Sequence, residues 1–215
     1  VVVATGGPGM VKAAYSSGKP SYGVGQGNVQ VIIDEDCRNQ YAKIAENVTN
    51  SRIRDNGVPC TCEQFITLPS GDLQTFFAEL RNAGAYVIEE EEKIEALRNL
   101  LFQVTTKGNV EFNVSNVGIE AEKLAERIGI DVPAGTKTLV ARVNKIGKRE
   151  LLCKEKLCPV QAVAGYETFE QGMEQILTNL YMEGAGHTAI IYSHDQEHIE
   201  RAGNELPVSR VLVNA

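Results

Sequence analysis

Cys60 lies in Asp55-Asn56-Gly57-Val58-Pro59-Cys60-Thr61-Cys62-Glu63-Gln64, between a Gly/Pro loop and the apolar run Phe65-Ile66-Thr67-Leu68. A loop cysteine held by a rigid element exposes its sulfur to a substrate, which makes Cys60 the candidate nucleophile. A thiol of ordinary pKa is only about 3% thiolate at pH 7, so such a site needs a depressed pKa or a neighbouring base. Nearby backbone N–H groups are one source of the former. The bland alternative is a small buried hydrophobe, as most free cysteines are. Cys62 is expected to face the opposite way once the strand has begun and to pack inside. No second Cys/His pair stands at metal-site spacing, so Cys60 and Cys62 do not suggest a zinc site.

Other segments pair polar residues with tight turns. Ala4-Thr5-Gly6-Gly7-Pro8-Gly9 joins a buried strand to a helix whose first turn suits Pro8. Its missing Cβ atoms and free N–H groups favour a phosphate or a polarised carbonyl, with a plain tight turn as the alternative. Gly23-Val24-Gly25-Gln26-Gly27-Asn28 imitates a dinucleotide fingerprint, but its last spacing is wrong and a strand follows where that fingerprint needs a helix. Gly25 instead leaves room for a ligand. Glu155, in Lys154-Glu155-Lys156-Leu157-Cys158-Pro159, stands just ahead of a strand, where a solvated surface acid is the commoner reading. His187 closes the turn Gly184-Ala185-Gly186-His187 beside the next strand, with a structural histidine as its bland alternative. His194-Asp195-Gln196-Glu197-His198 fits an inverted zinc-protease pattern, but that pattern needs a further ligand well downstream, and a solvated helix start is the better reading.

These residues must be positioned by the elements between them. Strand-like and helix-like runs alternate from end to end, which predicts an α/β fold: a three-layer open sheet, mainly parallel. Strands are expected near 1–4, 29–33, 65–68, 85–88, 138–143, 159–164, 188–192 and 210–213. Helices are expected near 8–17, 37–52, 72–83, 90–103, 119–128, 168–181 and 195–204. The acids Glu89 to Glu92 read as a helix N-terminus favoured by the dipole.

The composition narrows the function. A net charge of −7 argues against broad nucleic-acid binding, which depends on Lys and Arg contacts with phosphates. No apolar run reaches membrane-spanning length. Five cysteines, an odd number, without a secretory pattern suggest free thiols in a reducing cytoplasm.

The motifs together resemble the CoA-acylating aldehyde dehydrogenases, including the aldehyde domain of bifunctional aldehyde-alcohol dehydrogenases. The resemblance rests on ATGGPGMVKAAYSSGKP at 4–20, GVGQGN at 23–28, DNGVPCTCEQ at 55–64, KEKLCP at 154–159, GAGHTA at 184–189 and RVLVN at 210–214. It implies an aldehyde-dehydrogenase-like catalytic domain over residues 29–215, incomplete at its C-terminus, with residues 1–28 as the tail of a dinucleotide-binding domain. It implies that Cys60 attacks an aldehyde, that hydride leaves to NAD or NADP, and that the thioester on Cys60 passes to coenzyme A. By the same resemblance Gly7 lies against the nicotinamide end of the cofactor, Glu155 reaches its ribose hydroxyls and His187 stands near it, while Gly25 leaves room for the nicotinamide or the incoming thiol. Hydrolytic relatives carry a water-activating glutamate in the GVGQGN segment, whereas residues 20–30 here contain no acid. The family's oxyanion asparagine is expected upstream of Val1, which predicts a fragment without turnover of its own. The expected partners are a small aldehyde and its acyl-CoA, and a homo-oligomer in the full-length protein. The alternatives are a carboxylate-forming or acyl-phosphate-forming dehydrogenase, and a non-catalytic fragment.

Overall fold

Runs of Val and Ile bounded by turn residues become strands, and the amphipathic stretches between them become the helices that cover those strands. The computed structural model describes residues 1–106 and 108–215, with Pro8 placed by its backbone. In chain order come β1 (Val2–Thr5), α1 (Pro8–Tyr15), β2 (Ser21–Val24), β3 (Val29–Ile33), α2 (Tyr41–Arg52), β4 (Glu63–Pro69), α3 (Leu73–Asn82) and β5 (Ala85–Ile88). Then follow α4 (Glu91–Leu101), β6 (Phe102–Val104), β7 (Val110–Phe112), α5 (Ala121–Arg127), β8 (Thr138–Arg142), β9 (Val160–Tyr166), α6 (Phe169–Met182), β10 (Thr188–Tyr192), α7 (Gln196–Glu205) and β11 (Arg210–Val213).

Seven strands form one sheet in the order β11-β10-β3-β4-β9-β8-β5, and every neighbouring pair is parallel. Both faces are buried, as a parallel sheet requires. Val31, Ile33, Ile66, Leu68 and Val163 meet α2 and α3 on one face through Ile44, Val48, Phe76 and Phe77. On the other face Phe65, Leu139 and Ala162 meet α4 and α5 through Leu97, Leu101 and Leu124, while Ile32, Ala189 and Ile191 meet α6 and α7 through Met173, Ile176 and Ala202. The expected α/β three-layer architecture is therefore present.

The strand order positions the site. Asn28, Cys60, Glu155 and His187 belong to segments that lead into β3, β4, β9 and β10, and these four strands are consecutive in the sheet as β10-β3-β4-β9. Because the strands are parallel, all four segments meet at the amino edge, although they span 160 positions of sequence.

Some elements differ from the sequence reading. Residues 35–40 are a 3₁₀ turn capped by Asp34, which accepts from the Glu35 N–H at 2.8 Å, so α2 begins only at Tyr41. The expected helix over 90–103 ends at Leu101. Phe102 is extended there (φ −126°, ψ 142°) because β6 pairs antiparallel with β7, and Phe102 packs edge-on against Phe112 at 5.9 Å. The segment Ser21–Val24 forms a strand with no counterpart in the sequence expectation; among the described residues it pairs only with β1, in a two-stranded parallel sheet apart from the large one.

Candidate active site

The segment before Cys60 is bent by three successive left-handed residues, Asp55 (φ 46°), Asn56 (φ 49°) and Gly57 (φ 75°). Asn and Asp are the side chains that tolerate this conformation best, and Gly adopts it without steric strain. Gly57 is also required by space, because a Cβ there would stand 2.6 Å from the carbonyl carbon of Cys158. The Asn56 side-chain amide donates to Gly118 O at 3.1 Å, and the Cys62 N–H donates to Pro59 O at 3.1 Å, closing a turn over Cys60. Cys60 is half-buried, whereas Cys37, Cys62, Cys153 and Cys158 are buried. Cys62 packs inside as expected, but for another reason: β4 begins only at Glu63, so the turn, and not strand alternation, directs it.

Cys60 Sγ lies 3.3 Å from His187 Nε2. Burial first, and then the positive charge of Arg210, hold the pKa of His187 below its ordinary value. At neutral pH the ring is therefore uncharged and can accept the thiol proton at Nε2 while its own proton sits on Nδ1. Nδ1 is itself buried with no partner among the described residues.

Gly27 runs directly against the cysteine. A Cβ on it would stand 2.7 Å from Cys60 Cβ. Its N–H donates to Glu155 Oε1 at 3.1 Å, and the Gln26 side-chain amide reaches Glu155 Oε2 at 3.4 Å. Glu155 is buried, so the solvated surface acid expected from sequence alone is not what the fold makes of it. Burial, and then the neighbouring Glu183 carboxylate, push its pKa up to about 7.

The Glu155 segment is clamped from below. Arg52, fully buried at the end of α2, donates through Nε to Cys158 O at 3.1 Å and through Nη2 to Lys156 O and Cys158 O. Gln64 accepts from the Lys156 N–H at 2.9 Å and donates to Lys156 O at 3.3 Å. Lys156 is buried too and donates to Leu152 O at 2.6 Å and Lys154 O at 2.9 Å. Burial, and then the Arg52 charge, bring its pKa down to about 7.

A cavity of about 420 Å³ opens beside Glu155, lined by Gly9, Gln26, Phe112, Lys154, Glu183 and Leu157 among others. A Cβ built on Gly7, Gly9 or Gly25 meets nothing within 4 Å, so the start of α1 and the Gly25 turn both border open space. Its lining combines carboxylate and amide groups with apolar side chains, a mixture that fits the ribose and the flat ring of a nicotinamide. Among the described residues no three His, Cys, Asp or Glu side chains are grouped to hold a metal ion. The two histidines of the zinc-protease pattern part company: His194 meets Gln40, and His198 meets Asp34.

Sequence reasoning thus named Cys60, Glu155 and His187, which the fold brings to one edge, and Gly7 and Gly25, which are exposed at its border. It missed Gly27, Gln26, Asn28, Arg52 and Glu183. Only Gly27 carried a signal, as a glycine next to a strand, where close backbone approach is a common cause.

The open parallel sheet thus brings a cysteine and an imidazole together at its amino edge. The acetylating aldehyde dehydrogenase of Geobacillus thermoglucosidasius superposes with a TM-score of 0.89 at 38% identity, over 99% of this chain and 45% of that one. The succinate-semialdehyde dehydrogenase (acetylating) of Clostridium kluyveri is 43% identical over 214 residues, covering 100% of this chain and 46% of the relative. A structure of Rhodopseudomonas palustris propionaldehyde dehydrogenase with bound CoA and an acylated cysteine superposes with a TM-score of 0.84 at 28% identity, over 99% and 46%. No family model matches the chain. The homologues of this chain are acylating aldehyde dehydrogenases, and it spans about half the length of these relatives.

Proposed function

We propose that the protein interconverts an aldehyde and its acyl-CoA thioester through Cys60, with NAD or NADP as hydride carrier. The observation that supports this most directly is the 3.3 Å approach of His187 Nε2 to Cys60 Sγ. His187, uncharged at neutral pH, takes the thiol proton as Cys60 Sγ bonds to the aldehyde carbon and a thiohemiacetal forms. A bound nicotinamide supplies the hydride acceptor at this point. Glu155, Gln26 and Gly9 line the cavity that would hold its ribose end, with Gly7 and Gly25 giving it room. Once His187 has released the first proton to solvent, it takes the proton of the CoA thiol as CoA sulfur attacks the thioester carbonyl, the acyl–Cys60 bond breaks, and the departing Cys60 thiolate recovers its proton from His187.

Coenzyme A is preferred to water because residues 20–30 contain no carboxylate that could activate water, whereas a thiol is an intrinsically strong nucleophile. The acetylating names of the relatives above support the same choice. In this reading residues 1–28 belong to the cofactor domain and residues 29–215 to the catalytic domain, and the 215 residues alone bind NAD weakly and do not turn over. Product analysis on a protein of the relatives' length tests the proposal. Aldehyde and NAD alone are expected to give at most one NADH per site, and added CoA to give steady acyl-CoA formation. Repeated turnover to free carboxylate without CoA would overturn it.

A further inference from the structure

Glu183 lies four residues before His187 and takes part in both of the other site segments. Its side chain is 10% exposed. Oε2 accepts from the backbone N–H of Glu155 at 2.6 Å, and Oε1 meets Lys154 Nζ at 3.2 Å. Its backbone carbonyl accepts from the side-chain amide of Asn28 at 3.0 Å, and the same amide nitrogen donates to Cys153 O at 2.8 Å. Asn28 is fully buried and directly follows Gly27. Gly184 presses against it, since a Cβ there would stand 2.7 Å from Asn28 Cβ. The far end of the turn is held by the Gly186 N–H on Pro207 O at 2.7 Å and by the Ser209 N–H on His187 O at 3.2 Å, while Gly184 (φ 110°) and Gly186 (φ 85°) occupy conformations open to glycine.

We propose that Glu183, braced by Asn28, is the positioning residue that ties the His187 turn to the Glu155 segment and so holds the imidazole against Cys60. The far end of the turn is held to Pro207 and Ser209, and the Glu183 carboxylate ties its start to the backbone N–H of Glu155, among the described residues the one link in the turn that runs to the Glu155 segment through a side chain of the turn itself. A displacement of about 1 Å at such a site is enough to cost on the order of 10²-fold in rate, so one hydrogen bond that fixes the turn matters to the chemistry without touching substrate. The inference rests on the pairing of Cys60 with His187 proposed above.

The test uses the 215-residue chain and the rate of iodoacetamide alkylation at Cys60 as a function of pH, followed by peptide mass spectrometry. The four other cysteines are buried, so Cys60 reports alone. His187→Ala serves as the reference for a cysteine without its imidazole and is expected to react about tenfold more slowly at pH 7. Glu183→Ala is expected to show the slow profile of His187→Ala, and Glu183→Gln, which keeps an acceptor for the Glu155 N–H, to stay within about twofold of the parent chain. A parent-like profile in Glu183→Ala would overturn the inference. So would equal slowing in Glu183→Gln, since charge and not the hydrogen bond would then be responsible. Should Glu183→Ala fail to fold, Glu183→Asp replaces it, one methylene too short for the Glu155 N–H: slowing supports the inference, and parent-like reactivity overturns it. An unchanged rate in His187→Ala would instead overturn the Cys60–His187 pairing itself, and this inference with it.

Discussion

Cys60 was legible because its neighbours are unusual: a left-handed Asp-Asn-Gly turn before it and a strand straight after it leave a cysteine in a fixed turn. Glu155 and His187 were legible only through resemblance to relatives, because burial and a 3.3 Å approach across 127 residues are properties of the fold. Gly27 passed unnoticed among the glycines of its segment, although its missing Cβ is what lets the chain lie against Cys60. Gly27→Ala is accordingly expected to lower aldehyde oxidation in a protein of the relatives' length on the order of 10²-fold, through displacement of Cys60. Steady-state kinetics beside a thermal melt checks it, since a fully folded Gly27→Ala protein of parental rate would show that the contact is dispensable. Cys60→Ser should abolish the same reaction. Cys62→Ser should keep most of it, because Cys62 is buried in the core and it is Cys60 whose sulfur meets the imidazole. Equal loss in both would point to a shared structural cause instead.

At the scale of elements the sequence read well wherever Val and Ile runs were long, as in β3 and β10, and poorly where pairing decided the conformation. Phe102 continues the apolar period of α4, so only its antiparallel partner Phe112 turns it into a strand residue. Ser21–Val24 is short and contains a glycine, and it is a strand because β1 lies beside it. The segments that precede β4 and β9 hold one another. Gly57→Ala, placing a Cβ both in a left-handed backbone and against Cys158, should therefore destabilise the fold by on the order of 2 kcal/mol, measured by denaturant unfolding. The Glu155 segment also carries a pH dependence whose sign is fixed. Its folded pKa is raised to about 7, so its stabilising contribution is present in the ordinary carboxylate range and is lost as pH rises through 7. Lys156 works in the opposite sense, its folded pKa lowered to about 7, and its stabilisation is lost from its ordinary range downwards, above the window of Glu155. Unfolding midpoints between pH 5 and 8 should fall less steeply in Glu155→Gln than in the parent chain. An identical slope in both would remove Glu155 as the source.

Over the whole molecule, four sequence-distant segments become one site because β10, β3, β4 and β9 are parallel neighbours, and no local pattern encodes that order. Alternation of elements predicted the layers, while the strand order is set by which helix crosses which face. Residues 1–24 stand apart in a different way. Among the described residues their strands pair only with each other, and Val3, Met10, Tyr15 and Tyr22 are exposed there. If they belong to a second domain as proposed, removing residues 1–24 should move the melting temperature of the remaining sheet by less than about 4 °C; loss of cooperative melting would contradict that division. The central claim, that Cys60 is the sulfur which carries the acyl group between aldehyde and coenzyme A, is most directly tested by mixing a protein of the relatives' length with an acyl-CoA and mapping the product by mass spectrometry. One acyl adduct is predicted, on Cys60, absent from Cys60→Ser and reversed by excess CoA. An adduct on another residue, or none on Cys60, would contradict it.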